Sequence, residues 1–184
     1  MPTALLVMDF QVGVVERFAG SSDVVNAARA AVEGARRHGV LVVYVRVGFR
    51  HGAPEASPRN KSFSALVGRA DMGEDAPETQ VVPELEPHPE ETVVVKRRVS
   101  AFTGSDLEVV LRAADVDHLV LSGIATSGVV LSTLRQAADL DYRLTVLADA
   151  CLDGDPSVHE VLTVKVFPRQ AEVVTVDEWV ASLG

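Results

Sequence analysis

Three places in this 184-residue chain carry side chains whose types and spacing could do chemistry. Asp9 stands directly after one short apolar run and Lys96 directly after another. The stretch 119–137 (LVLSGIATSGVVLSTLRQA) runs from apolar residues through Gly123 into residues at helical spacing. A carboxylate and an ammonium brought together tune each other's pKa, as general acid–base catalysis requires. The turn at 124–129 offers the open N–H groups of a new helix, which favour a carbonyl oxygen or an anion. One reading of it is therefore an oxyanion hole. The other reading is architectural: Thr126 or Ser127 caps the helix, Asp9 forms a turn, and the charged pair closes the end of a sheet. Cys151 is the one thiol. A nucleophilic cysteine needs a setting that stabilises the thiolate, and Asp149 and Asp153 would do the opposite. A small buried residue in the turn after a strand is its alternative role.

Other motifs are missing. No GxGxxG follows the first apolar run, no GxxxxGK phosphate loop occurs, and no GxSxG elbow is present. The histidines (His38, His51, His88, His118 and His159) show no paired metal spacing and read as surface or supporting residues. Neither a metal nor a cofactor is expected.

The elements that must position these residues follow from pattern. Residues 4–8 (ALLVM), 40–47 (VLVVYVRV), 92–95 (TVVV), 118–122, 143–147 and 172–176 read as strands, most of them apolar on both faces. Between them lie predicted helices: 21–37, opened by Ser21 or Ser22 and closed at His38-Gly39; 106–114; one beginning near Ser127; one opened by Pro156; and 177–183, with Trp179 inward. Strands alternating with helices predict a parallel, doubly wound α/β sheet. Asp9, Lys96 and the 124–129 turn then all fall at its C-terminal edge, where open sheets bind ligands. Residues 48–91 carry six of the nine prolines. An irregular insertion of this length reads as a lid or an interface, with a short helix near 64–69.

Composition bounds the function. With 47% hydrophobic residues, residues 1–184 read as one globular domain that buries roughly 70% of its unfolded surface. A net charge of −9 argues against nucleic-acid and anionic-membrane partners. The single cysteine, the absence of a basic, apolar leader after Met1 and the lack of a membrane-length apolar run predict a cytoplasmic protein.

VMDFQ, VVVKRRVSAFTGSDLEVVLRA and LVLSGIATSGVVLSTLRQAADLDY, in that order, resemble the isochorismatase-like hydrolase superfamily. Nicotinamidases, N-carbamoylsarcosine amidohydrolases and isochorismatases belong to it. The resemblance spans nearly the whole chain. It implies a three-layer α/β/α sandwich with a six-stranded parallel sheet in the order 3-2-1-4-5-6. It implies a catalytic Asp9 and Lys96, and a cis peptide between Ile124 and Ala125. Gln11, Ile124, Ala125, Thr126, Ser127, Gly128 and Val129 would form the oxyanion and substrate-binding set, with Phe10 and Phe102 beside the substrate. A homodimer or homotetramer acting on a small molecule is expected.

Two departures carry as much weight. The family's amidohydrolases place a nucleophilic cysteine where this chain has Val129, and a valine cannot attack a carbonyl. The Asp-x-His of the nicotinamidase metal site is absent too; His51 follows Arg50 alone. Isochorismatases proper work without that cysteine, using an Asp to protonate the enol-ether carbon. The expectation is therefore Cys-independent acid–base hydrolysis through Asp9 and Lys96. The alternatives are an amidohydrolase with its nucleophile relocated to Cys151, and a non-catalytic descendant that binds a small molecule or serves as an oligomerisation module.

Overall fold

Strands that are apolar on both faces must be covered on both faces, and the tertiary structure does this. The computed structural model describes residues 2–18, 21–68 and 70–184. Six strands form one sheet: β1 Thr3–Met8, β2 Leu41–Val47, β3 Thr92–Lys96, β4 His118–Ile124, β5 Arg143–Leu152 and β6 Glu172–Val174. All neighbours are parallel, in the order β3-β2-β1-β4-β5-β6. This is the order the resemblance implied.

The helices are α1 Val12–Val15, α2 Ser21–Arg37, α3 Lys61–Val67, α4 Leu107–Ala113, α5 Leu131–Asp139, α6 Pro156–Val161 and α7 Val176–Ala181. Alternation along the strands sorts the core into two clusters. Leu6, Met8, Val45 and Leu121 pack with Leu107 and Leu111 of α4 and Leu134 of α5. Leu5, Val7, Tyr44 and Val120 pack on the other face with Val25 and Val32 of α2 and Trp179 of α7. The result is a three-layer α/β/α sandwich.

Several boundaries differ from the sequence expectation, each for a local reason. β4 continues through Gly123 to Ile124 instead of stopping at 122. It approaches β1 so closely that a Cβ on Gly123 would stand 2.8 Å from the Met8 carbonyl oxygen. β5 runs to Leu152 rather than 147, and the β4–β5 register shifts between Leu121 and Gly123. Cys151 therefore pairs with Gly123 inside a strand and does not sit in a turn. β6 ends at Val174, and the capping box of Thr175 and Glu178 starts α7 at Val176. Ser21 and Ser22 are the first residues of α2 and so do not precede it as caps.

The insertion is more ordered than its composition implied. Its helix is α3, capped by Asn60, whose side chain accepts from the Phe63 N–H; Arg69, within the expected helix, lies outside the described residues, as does Met1. Phe49, Phe63, Met72 and Val47 make a small core of their own. The insertion's end is tied to α2, where Arg36 forms a two-point ion pair with Glu91 at 2.9 and 2.7 Å. Among the described residues no helix is long and apolar enough to cross a membrane.

Candidate active site

Asp9 follows β1 in the left-handed region, with φ of 59°, and its N–H donates to the Val45 carbonyl at 2.8 Å. Lys96 ends β3, two strands away across β2. At about 4.8 Å per strand only a long side chain bridges that gap. It does so: Lys96 Nζ stands 2.9 Å from Asp9 Oδ2. Both residues are buried, at 8% and 2% exposure. The ammonium also donates to the carbonyls of Arg98 (3.0 Å) and Val99 (2.8 Å). Its three donors are then all engaged. Asp9 differs, because its Oδ1 is buried with no hydrogen-bond partner among the described residues. Burial pushes the Asp9 carboxyl above the ordinary carboxylate range, and Lys96 opposes that push without cancelling it.

Ser100-Ala101-Phe102 explains how the loop after Lys96 is held. The Ala101 N–H donates to Thr133 Oγ1 at 2.9 Å, and Ser100 Oγ donates to Gln136 Oε1 at 2.7 Å, both on α5. The carbonyls that receive the ammonium are thereby fixed in place.

The turn after β4 has the cis peptide that the resemblance implied and lacks the hydroxyl cap of the architectural reading. The Ile124–Ala125 peptide is cis. Residues Thr126–Val130 form a π-type turn with a kink at Gly128, where φ is −98° and ψ is −105°. Neither hydroxyl caps it. Thr126 is fully buried, and its Oγ1 shares a 2.8 Å hydrogen bond with His159 Nδ1. The Ser127 N–H donates to Asp153 Oδ2 at 2.7 Å. His159 and Asp153 were missed as neighbours of the site. The signal was present: Asp153 and the Asp155–Pro156 helix start follow the strand beside β4, so they must reach the same sheet edge. Val129 is 2% exposed and packs within the core cluster that contains Met8 and Leu121.

The remaining expected residues have buried partners of their own. Gln11 spends its side chain on backbone: Nε2 donates to the carbonyls of Val47 (2.8 Å) and Thr79 (2.9 Å), and Oε1 accepts from the Val47 N–H (2.9 Å). It is a clip between β2 and the insertion. Phe10 and Phe102 are buried in different core clusters on opposite faces of the sheet, Phe10 in the one that holds Ile124 and Phe102 in the one that holds Val129. Phe102 packs on Tyr142, with ring centroids 6.1 Å apart. Cys151 is 3% exposed, and burial pushes its thiol up to about 12, where the thiolate is scarce near neutral pH. His51 lines a cleft of about 960 Å³ between residues 49–53 and 70–77; neither Asp9 nor Lys96 is among its walls.

With the geometry in view, the comparisons are specific. A family model described as the isochorismatase domain matches residues 3–178. An uncharacterized isochorismatase family protein of Bacillus subtilis is 34% identical, covering 96% of this chain and 92% of its own. A ureidoacrylate amidohydrolase of Variovorax paradoxus is 33% identical, covering 88% of this chain and 69% of its own. The solved structure of an isochorismatase family protein of Burkholderia thailandensis superposes with a TM-score of 0.89. It is 28% identical and covers 99% of this chain and 95% of its own.

Proposed function

This chain belongs to the isochorismatase family of hydrolases, and from that premise we propose that it hydrolyses a small molecule by proton transfer at Asp9, with no covalent intermediate on a cysteine. The observation that carries this reading is the divided carboxyl of Asp9. Oδ2 is held by the ammonium of Lys96, while Oδ1 is buried with no partner among the described residues. A buried carboxyl oxygen left without a partner costs free energy unless something uses it. A substrate atom or a water that exchanges a proton there would do so. The raised pKa keeps more of the acid form available than an ordinary aspartate holds, which suits a proton donor. Lys96 then stabilises the carboxylate left after donation, so the pair passes through both states in one turnover.

On an enol ether the balance closes simply. Asp9 gives its proton to the carbon of the double bond and the oxygen-stabilised cation forms. Water adds to that cation, and the adduct's C–O bond breaks to release a carbonyl compound and an alcohol, with a proton returned to Asp9. An amide or ureide would need Asp9 to activate water directly, because Val129 supplies no nucleophile. The ureidoacrylate amidohydrolase relative makes ureides worth testing on equal terms. The reading that moves the nucleophile to Cys151 has the buried, strand-bound thiol against it.

A screen of amides, ureides and enol ethers with purified protein tests the proposal. Turnover of one class, lost in Asp9→Asn and kept in Cys151→Ser, is the expected result. Turnover that survives Asp9→Asn places the chemistry elsewhere. No turnover by the intact protein across the three classes favours the non-catalytic reading.

A further inference from the structure

A second cleft, of about 550 Å³, lies at the outer side of the loop after β3, lined by Arg50, Glu55, Arg97, Arg98, Thr103 and Gly104. Three guanidinium groups against one carboxylate is an unusual wall in a chain whose net charge is −9. Two of the three are neutralised locally. Arg50 pairs with Glu55 at 2.6 Å, and Arg97 pairs with Glu74 and, at 3.4 Å, with Glu55. Arg98 has no carboxylate within ion-pair distance among the described residues. It is nevertheless held firmly: Nη1 donates to the Arg97 carbonyl (2.6 Å), Nη2 to the Glu55 carbonyl (2.8 Å), and the guanidinium lies over the Phe63 ring, 5.7 Å from its centroid. Two of its five N–H donors are thus used, and the planar fork is fixed before any ligand arrives.

We propose that this cleft binds a small oxyanion, a carboxylate or a phosphate group, on the guanidinium of Arg98, and that occupancy is transmitted to Lys96. A fixed fork without a counter-ion matches the paired oxygens of such a group, and a pre-ordered side chain loses little freedom on binding. The transmission is one residue long. The main-chain carbonyl of Arg98 accepts from Lys96 Nζ at 3.0 Å, and that nitrogen stands 2.9 Å from Asp9 Oδ2. An anion drawing on the Arg98 side chain acts on the same residue that holds the ammonium. The site goes beyond the hydrolase reading, because binding is measured without turnover and stands or falls separately.

The test is calorimetric titration of the full chain with sodium phosphate and with sodium malonate, at ionic strength held constant by sodium chloride, since added charge alone screens such contacts. Saturable binding of at least one probe is expected. It should weaken tenfold or more in Arg98→Gln and stay unchanged in Arg112→Gln, an exposed arginine on α4. Arg98→Lys keeps the charge but not the fork and should weaken binding at least threefold, which covers the case of a Gln variant that loses its fold. Tighter malonate assigns the site to carboxylates, and tighter phosphate to phosphates. In a companion nuclear magnetic resonance titration, the amide signals of Val99 and Ser100 should move with the midpoint of the heat. No saturable heat from either probe, or equal affinity in a folded Arg98→Gln or Arg98→Lys, overturns the site. Saturable heat with unmoved Val99 and Ser100 signals overturns the transmission.

Discussion

A carboxyl group with one oxygen on an ammonium and the other without a partner among the described residues is, at the scale of single residues, what the proposed chemistry rests on. Asp9→Asn keeps the shape of the side chain and removes its proton exchange, so kcat on any substrate found should fall roughly 10²–10⁴-fold. Steady-state rates of the folded variant check this. Cys151→Ser should leave kcat within about threefold, because a strand-bound thiol pushed up to about 12 supplies no thiolate worth losing. The pH dependence has a definite sign. Burial raises the Asp9 pKa, so the proton-donating form is full at low pH and drains as pH rises through that raised value. The expected kcat/KM profile on an enol ether therefore falls on its alkaline side, with a midpoint above the ordinary 3.8. A profile with no alkaline limb anywhere in the pH range where the protein stays folded would remove Asp9 as the donor. Stability follows the same sign: the folded state favours the protonated carboxyl, and that contribution is lost as pH rises through the folded pKa.

At the scale of elements, two residues hold the backbone around the site. Gly123 lets β4 lie against β1; the Cβ of an alanine there would meet the Met8 carbonyl oxygen at 2.8 Å and Val129 Cγ1 at 3.2 Å. Backbone cannot yield as a side chain does, so Gly123→Ala should cost about 1–3 kcal/mol and displace Asp9, the residue after Met8. Urea denaturation reads the first effect, and loss of turnover in the folded fraction reads the second. Gln11→Ala removes three buried contacts that join the end of β2 to Thr79. At about 0.5–1.5 kcal/mol each the loss is roughly 1.5–4.5 kcal/mol. A chain of this size should show it as about 2–4 °C of melting temperature per kcal/mol. An unchanged midpoint would mean the clip carries nothing.

At the scale of the whole molecule, the insertion is fastened to the sandwich at its end. Arg36 on α2 reaches Glu91, the Glu86 carbonyl and the hydroxyl of buried Tyr44, so one guanidinium joins the helix layer, the sheet and the end of the insertion. Burial pushes the Glu91 carboxyl up, but hydrogen bonds from Arg36 and the His88 N–H outweigh it and leave its pKa below the ordinary 4.5. This sign is opposite to that of Asp9. The contribution is present above 4.5 and is lost as pH falls through the lowered value. Glu91→Gln should destabilise the protein at neutral pH and flatten its loss of stability between pH 5 and 3, as followed by thermal melts across that range. Limited proteolysis should cut within residues 48–91 sooner in the variant. Equal cleavage rates would show that the insertion is fastened elsewhere.

The parallel sheet, its two helix layers and the shared sheet edge of Asp9, Lys96 and the 124–129 turn were legible because they rest on period and composition, whereas the strand order was legible only through the family resemblance. Runs such as ALLVM and VLVVYVRV are stable only when both faces are covered, and a parallel sheet with helices on both sides provides that. The absence of a nucleophile at Val129 was equally legible, since side-chain chemistry needs no coordinates. Tertiary structure alone decided what each polar group touches, because hydrogen-bond partners are chosen across strands distant in sequence. It tied the Gln11 side chain to the backbone of Val47 and Thr79 and placed Phe10 and Phe102 in separate cores. It carried Cys151 into a strand, because β5 outruns its apolar stretch to keep pairing with β4. It also left Asp9 Oδ1 without a partner among the described residues while Lys96 spent all three of its donors.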